Sequence, residues 1–319
     1  MNLCRQPVST KGMDREEIIS SVYDIAIVAL GYERRSSHLA TILRTAPHYR
    51  YAIPFETHRE LSFDANCKAL SKLRYEKVTA SESQLAEWAT RTIDQVSENT
   101  VADKLHICID ISSFTRLRLA YLLEGIVSSN AKGKSLEVDF VYTPAQYTKP
   151  PRESEGATVC GPVSSFFAGW PSDPELPVAA IIGLGYEREK AVGAYEYLEP
   201  TSTALVKPVS HDPRYDSSVK SANESLFLDQ NSAEVFTYPI DHAAECVELV
   251  NALVQRYQKD HRVITVPFGP KLFALCCMIV ACVNYPRIGV WRISADCNSN
   301  IRDQVASEYT VALKVVFSP

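Results

Sequence analysis

The sequence predicts an α/β protein built from two tandem Rossmann-like, doubly wound parallel-sheet domains related by internal duplication. Three observations predict it. Apolar β-rich runs alternate with amphipathic segments along the whole chain. The alternation stops over a Pro/Gly-rich stretch and then restarts. The tetrapeptide Gly-Tyr-Glu-Arg closes the first strand of each series, at 31–34 and again at 185–188.

In the first series the strand segments are 24–30, 49–54, 77–80, 105–110 and 136–142. Helical patterns fall between them at 35–44, 63–73, 82–96 and 116–127. Near-continuous apolar strands such as 25–30 fit a sheet covered on both faces. The stretch from Pro150 to Pro177 holds six prolines (150, 151, 162, 171, 174, 177) with Gly156, Gly161 and Gly169, which reads as a linker. Its aromatic residues Phe166, Phe167 and Trp170 suggest that part of it packs down. The second series then runs through strands at 178–184, 203–208, 234–238, 263–266 and 289–294. Helices are expected at 189–197, 218–228, 243–257 and 272–283, and the β-rich tail 309–317 reads as an added edge strand. The expected domains are therefore 1–150 and 178–319, joined by the linker 151–177.

Duplication rests on register. The stretch from Ile25 to Arg34 matches that from Ala179 to Arg188 at an offset of 154. After the fourth strands, Asp110-Ile111-Ser112-Ser113-Phe114-Thr115-Arg116 faces Val266-Pro267-Phe268-Gly269-Pro270-Lys271, with Arg116 on Lys271 at an offset of 155. A weaker anchor is Ala65-Asn66 against Ala222-Asn223, at an offset of 157. Anchors this consistent, at so long a period, mean two domains and not a solenoid.

Length and composition bound the function. A chain of 319 residues suits two domains, and 46% apolar with 22% charged residues is ordinary globular composition. A net charge of -5 argues against bulk DNA binding through a basic surface, though not against a local basic pocket. No apolar run approaches the roughly 18 residues of a membrane span, and the first residues lack an apolar signal core, so a cytoplasmic location is expected. The nine cysteines are scattered without CxxC spacing and the seven histidines are dispersed, so neither a metal nor another cofactor is expected.

The repeated motifs sit where an open parallel sheet binds ligands, beyond the carboxyl ends of strands one and four. Gly31 and Gly185 allow a tight strand exit, and Arg34 and Arg188 are expected at the start of the next helix, where free N–H groups favour an anion. Ser112 and Ser113 suit helix capping or donation to a phosphate, and Arg116 and Lys271 sit one turn further in. Pro267-Phe268-Gly269-Pro270 makes a rigid loop before Lys271. Tyr32 and Tyr186 suit stacking on a base or plain packing, while Glu33 and Glu187 suit capping their own helices or pairing with their arginines. Asp110 ends a buried strand, either as a catalytic group or as an orienting one. Arg59, Arg214, Asn66 and Asn223 are weaker candidates near the same strand ends.

At the strand-one turn and the strand-four loop, the layout resembles the CARF and SAVED group of Rossmann-like sensor domains from prokaryotic defence systems. The resemblance implies binding of an oligonucleotide second messenger at those strand ends. There Phe268-Gly269-Pro270-Lys271 resembles the group's loop of a Gly and a Lys before a helix. The wording departs from the group's, with Gly-Tyr-Glu-Arg at the turn and no Thr-Gly-Gly-Thr-Lys loop. No appended nuclease is read in the sequence, so the implied effector is a partner protein, or the activity is stand-alone.

Three functions follow as expectations. The first is binding of a nucleotide or other phosphorylated small molecule by Gly31, Tyr32, Glu33, Arg34, Ser112, Ser113 and Arg116 with Gly185, Tyr186, Glu187, Arg188, Gly269 and Lys271. The second is an enzyme cleaving a phosphodiester or N-glycosidic bond, with Asp110 as base and Ser113 as nucleophile, stabilised by Arg116 and Lys271. The third is a structural partner protein with two degenerate sites. General acid–base work usually needs a histidine or a carboxylate pair in the cleft, and no histidine lies in a repeated motif.

Overall fold

A computed structural model describes residues 3–150, 159–171, 173–228, 233–294 and 301–319. The chain opens with strand β1 (Pro7–Met13) and helix α1 (Arg15–Ser20), the latter started by a reciprocal Asp14/Glu17 capping box. There follow β2 (Ile25–Leu30), α2 (His38–Ile42), β3 (Tyr49–Pro54), α3 (Phe63–Lys72) and the short β4 (Glu76–Lys77). Next come α4 (Leu85–Asn99), β5 (Lys104–Asp110), α5 (Arg116–Ser128) and β6 (Ser135–Tyr142). Every residue of β2 is buried, as its unbroken apolar run requires. On α4, buried Leu85, Ala89, Ile93 and Val96 recur at helical spacing.

The second series holds β7 (Val159–Pro162), β8 (Val178–Gly183), α6 (Lys190–Leu198), β9 (Ser202–Val209), α7 (Pro213–Ala222) and α8 (Glu224–Leu228). It continues through β10 (Ala233–Pro239), α9 (Ala243–Tyr257), β11 (Arg262–Pro267), α10 (Lys271–Val283) and β12 (Gly289–Ser294), and the chain ends with β13 (Val311–Phe317). Apolar residues surround α10, and each residue from Leu272 to Cys282 is buried.

Two sheets result. The 7-stranded sheet has the order β1-β13-β6-β5-β2-β3-β4, and the 6-stranded sheet has the order β10-β9-β8-β11-β12-β7. The strands β2 to β6 pair in parallel, as do β8 to β12, and both sets follow the spatial order third-second-first-fourth-fifth. The connection direction reverses between β2 and β5 in one sheet and between β8 and β11 in the other. Those are the two switch points that the repeated motifs were expected to flank.

The chain divides into one unit of Met1–Gln146 with Ser299–Pro319 and a second of Tyr147–Asn298. This differs from the expected boundaries of 1–150 and 178–319. The tail is not an edge strand of the second sheet: β13 lies antiparallel between β6 and β1 in the first. Within the expected linker, β7 pairs antiparallel with β12 and so belongs to the second sheet. In both cases an antiparallel strand covers an edge that parallel pairing would leave open. Phe166 and Phe167 pack down as expected, Phe166 stacking on Tyr285 with ring centroids 4.9 Å apart, whereas Trp170 is 69% exposed. Pro151 and Gly156 lie outside the described residues.

Candidate functional site

Each unit places its Gly-Tyr-Glu-Arg turn at the carboxyl end of its central strand, β2 or β8. In the first unit an added Cβ at Gly31 would lie 2.9 Å from Ser36 Oγ and 3.0 Å from the Phe55 ring, so a side chain cannot fit without movement. Tyr32 packs edge-on against Phe55 and His58, at centroid distances of 5.7 and 5.9 Å. Burial, then the neighbouring Glu33 charge, push its hydroxyl up to about 12.

Glu33 neither caps a helix nor pairs with Arg34. Its carboxylate accepts from Arg35 Nε at 2.8 Å and from Ser113 Oγ at 3.1 Å. Arg35 is buried and also donates through Nη1 to the Thr143 carbonyl at 3.2 Å. Burial works against its charge, but Glu33, Tyr142 and Asp110 outweigh it and hold the guanidinium protonated above its ordinary range. Arg34 opens a single 3₁₀ turn, Arg34–Ser37, not the α-helix expected there. Its backbone N–H donates to Asp303 Oδ1 at 2.6 Å and its Nη2 to Asp303 Oδ2 at 3.2 Å. Ser62 Oγ donates to the same Oδ2 at 2.8 Å. A carboxylate from the chain's own tail thus sits in the cradle where an anion was expected.

The strand-four loop of this unit turns inward. Asp110 is buried, and its Oδ1 accepts from the Ser112 N–H at 2.9 Å, which makes it an orienting group for the loop. Ser112 is fully buried, its Oγ accepting from the Thr143 N–H at 2.8 Å. Neither serine caps α5; Thr115 does, accepting from the Arg118 N–H. Arg116 is the first residue of α5 and is half-buried. Arg118, which the sequence reading missed, is buried: its Nε donates to Glu82 at 2.8 Å and its Nη1 to the Pro54 carbonyl at 2.9 Å. Its guanidinium lies 4.4 Å from the Phe55 ring centroid.

In the second unit the two strand exits press backbone on backbone. Gly269 has φ +72, and a Cβ there would stand 2.4 Å from the Leu184 carbonyl oxygen. A Cβ on Gly185 would stand 2.8 Å from Gly269 N and 2.1 Å from Glu187 Oε2. Glycine is therefore required at both positions. Phe268 is buried, and Lys271 begins α10, half-buried, as its position after Pro270 predicts. Glu189 takes a left-handed conformation, φ 63, immediately before α6. Exposed Arg188 therefore precedes that helix and does not lie in its first turn.

Tyr186 lies 5.9 Å from Tyr215, which packs edge-on to Tyr147 at 5.1 Å. Arg214 sits 4.8 Å over the Tyr147 ring and is ion-paired to Asp212 at 2.6 Å, while Arg59 stays near the Phe63 ring at 5.8 Å. The weakest sequence anchor has the clearest physical role. Asn66 Nδ2 donates to the Gly31 carbonyl at 2.9 Å and the Glu33 carbonyl at 2.8 Å. Asn223 Nδ2 donates to the Gly185 carbonyl at 2.8 Å and the Val219 carbonyl at 2.7 Å. Each turn is tied down by a buried asparagine from the helical segment that follows β3 or β9 in its own unit.

Among the described residues no three His, Cys, Asp or Glu side chains gather to hold a metal ion, and no helix is long and apolar enough to cross a membrane. No family model and no curated protein matches the sequence. Among solved structures, the chain is similar to a Type III CRISPR defence DNA nuclease activated by cyclic oligoadenylate, with a TM-score of 0.47 and 11% identity. The match covers 81% of this chain and 63% of that one, so this chain spans less than two thirds of the other's length. Nothing about this chain's ligand follows from a likeness so distant.

Proposed function

We infer that the two strand-end turns bind a nucleotide-derived or other phosphorylated ligand, and that the protein serves as a cytoplasmic sensor or accessory protein in prokaryotic defence or signalling, acting on a partner effector. One observation carries the reading. The Arg34 N–H, the Arg34 guanidinium and the Ser62 hydroxyl already hold an oxyanion, the Asp303 carboxylate, at the end of the central strand. A phosphate, like that carboxylate, offers the cradle negatively charged oxygen acceptors. Gly185 and Gly269 allow close backbone approach at the second turn, and Arg188 and Lys271 supply basic groups there.

Hydrolysis by Asp110 and Ser113 has less support. Asp110 Oδ1 accepts the Ser112 N–H, and the Ser113 hydroxyl donates to Glu33, which Arg35 also binds. A nucleophile whose proton is directed at a carboxylate already paired with Arg35 meets only a weak base.

Small molecules released from the natively purified protein, identified by mass spectrometry, test the reading together with thermal shift. A phosphorylated ligand is expected, and it raises the melting temperature when added back. Lys271→Ala and Arg116→Ala should each weaken its binding about tenfold. Unchanged affinity in both variants, or no stabilisation by any nucleotide, sinks the assignment.

A further inference from the structure

The two turns differ in a way that names the group the second one receives. In the first, the Glu33 carboxylate is satisfied by Arg35 and Ser113. At the matching offsets of 154 and 155, the second copy carries Glu189 in place of Arg35 and Phe268 in place of Ser113. Both donors are gone, and Glu187 Oε2 is buried without a hydrogen-bond partner among the described residues. The same substitution of donor by non-donor recurs one step away. Asn66 Oδ1 accepts from Ser37 Oγ at 2.8 Å. Ser37 corresponds to Ala191 at an offset of 154, and Asn223 Oδ1, on a fully buried residue, has no partner among the described residues.

Buried acceptors without donors are costly, and native folds leave few of them. Here two occur on side chains that flank one glycine. Glu187 Oε2 lies against Gly185, and Asn223 donates to the Gly185 carbonyl. Both gaps have the same sign, since each lacks a donor. An anion cannot fill them, and the phosphate of a ligand must lie elsewhere, on the basic side of the strand ends. The complementary group is an N–H. Resting on the phosphorylated-ligand reading above, we propose that Glu187 is a specificity residue that accepts a hydrogen bond from the exocyclic amine of an amino-bearing nucleobase. The second turn thus reads the base, while cationic residues of the strand ends hold the phosphate.

The test uses two probes that differ only by that amine, AMP and purine riboside 5′-monophosphate, titrated calorimetrically into the full chain. The wild type should bind AMP at least tenfold more tightly, since a charge-assisted hydrogen bond is lost with the amine. In Glu187→Gln the preference should fall below about threefold, with binding of purine riboside 5′-monophosphate retained. Glu189→Arg restores the donor that the first turn has, so it should raise the melting temperature and erase the preference. It also keeps the idea falsifiable if Glu187→Gln fails to fold. Equal binding of both probes by the wild type, or an undiminished preference in both variants, overturns the proposal and leaves phosphorylated-ligand binding standing. Failure of the folded wild type to bind either probe overturns both.

Discussion

The Gly-Tyr-Glu-Arg turns at 31–34 and 185–188 share a strand, a sheet position and an asparagine tie, yet they differ in how their charges are spent. The first is closed by its own unit: Glu33 meets Arg35 and Ser113, and Arg34 meets Asp303. The second leaves a carboxylate oxygen and an amide oxygen without donors among the described residues. Duplicated backbones can therefore keep a site's geometry while substitutions at three neighbouring positions decide whether it is filled from within. Retention of the motif words alone does not reveal that.

The comparison predicts its largest effect on stability. Arg35→Met removes the buried cationic partner of the Glu33 carboxylate and should cost about 3–5 kcal/mol in urea denaturation. Arg188→Met, at the exposed end of the second turn, should change stability by less than about 0.5 kcal/mol. Similar losses in both would mean that the two turns are equally closed. Asn66→Ala and Asn223→Ala should each cost about 2 kcal/mol, because each exposes two carbonyls to a buried environment without a donor. A negligible loss in either would remove the asparagine tie as a shared element. Asp303→Asn weakens the internal anion and should lower stability by about 1 kcal/mol or less, because the pair is partly exposed. It should also open the first turn further to inorganic phosphate, seen as a larger phosphate-dependent rise in melting temperature than the wild type shows.

The smallest effect separates the turns from the opposite, amino end of the first sheet. There His106, Asp139, Lys314 and Glu137 cluster, with His106 Nε2 and Asp139 Oδ2 2.9 Å apart and Lys314 Nζ 3.4 Å from Asp139 Oδ1. Burial pushes the Glu137 carboxyl up, but a hydrogen bond from Lys104 and the charge of Lys314 outweigh it and hold it below its ordinary range. A carboxyl held lower when folded contributes stability above its unfolded pKa of about 4 and loses it as pH falls through the folded value. Glu137→Gln should therefore flatten part of the acid limb of the stability curve. An unchanged acid limb would assign that limb to other carboxylates.

Much of the fold was legible because the parallel strands are short apolar runs and the helices between them are amphipathic. That rhythm gives parallel sheets, while the five-strand order around each switch point is fixed by tertiary pairing and was not read from the sequence. Not legible were β1, whose half-exposed sequence Pro7–Met13 shows no apolar period, and the place of β13. A strand that pairs across most of the chain's length leaves no local mark. At the site, Gly31, Gly185 and Gly269 were readable because tight exits need glycine. Arg35 was adjacent to the motif but lay outside the repeated tetrapeptide, and its counterpart Glu189 carries the opposite charge. Comparing the copies one residue further would have found it. Asp303 carried no signal, being an acidic residue in an irregular tail brought to the turn only by the return of β13.

The central claim is that the two turns bind a phosphorylated ligand, the second with less hindrance from its own chain. Hydrogen–deuterium exchange, followed by mass spectrometry with and without saturating AMP, tests it most directly on the intact protein. Slower exchange on AMP binding is expected in peptides covering 183–190, with a smaller slowing in peptides covering 29–37. Unchanged exchange in 183–190, or slowing confined to 29–37, would contradict it.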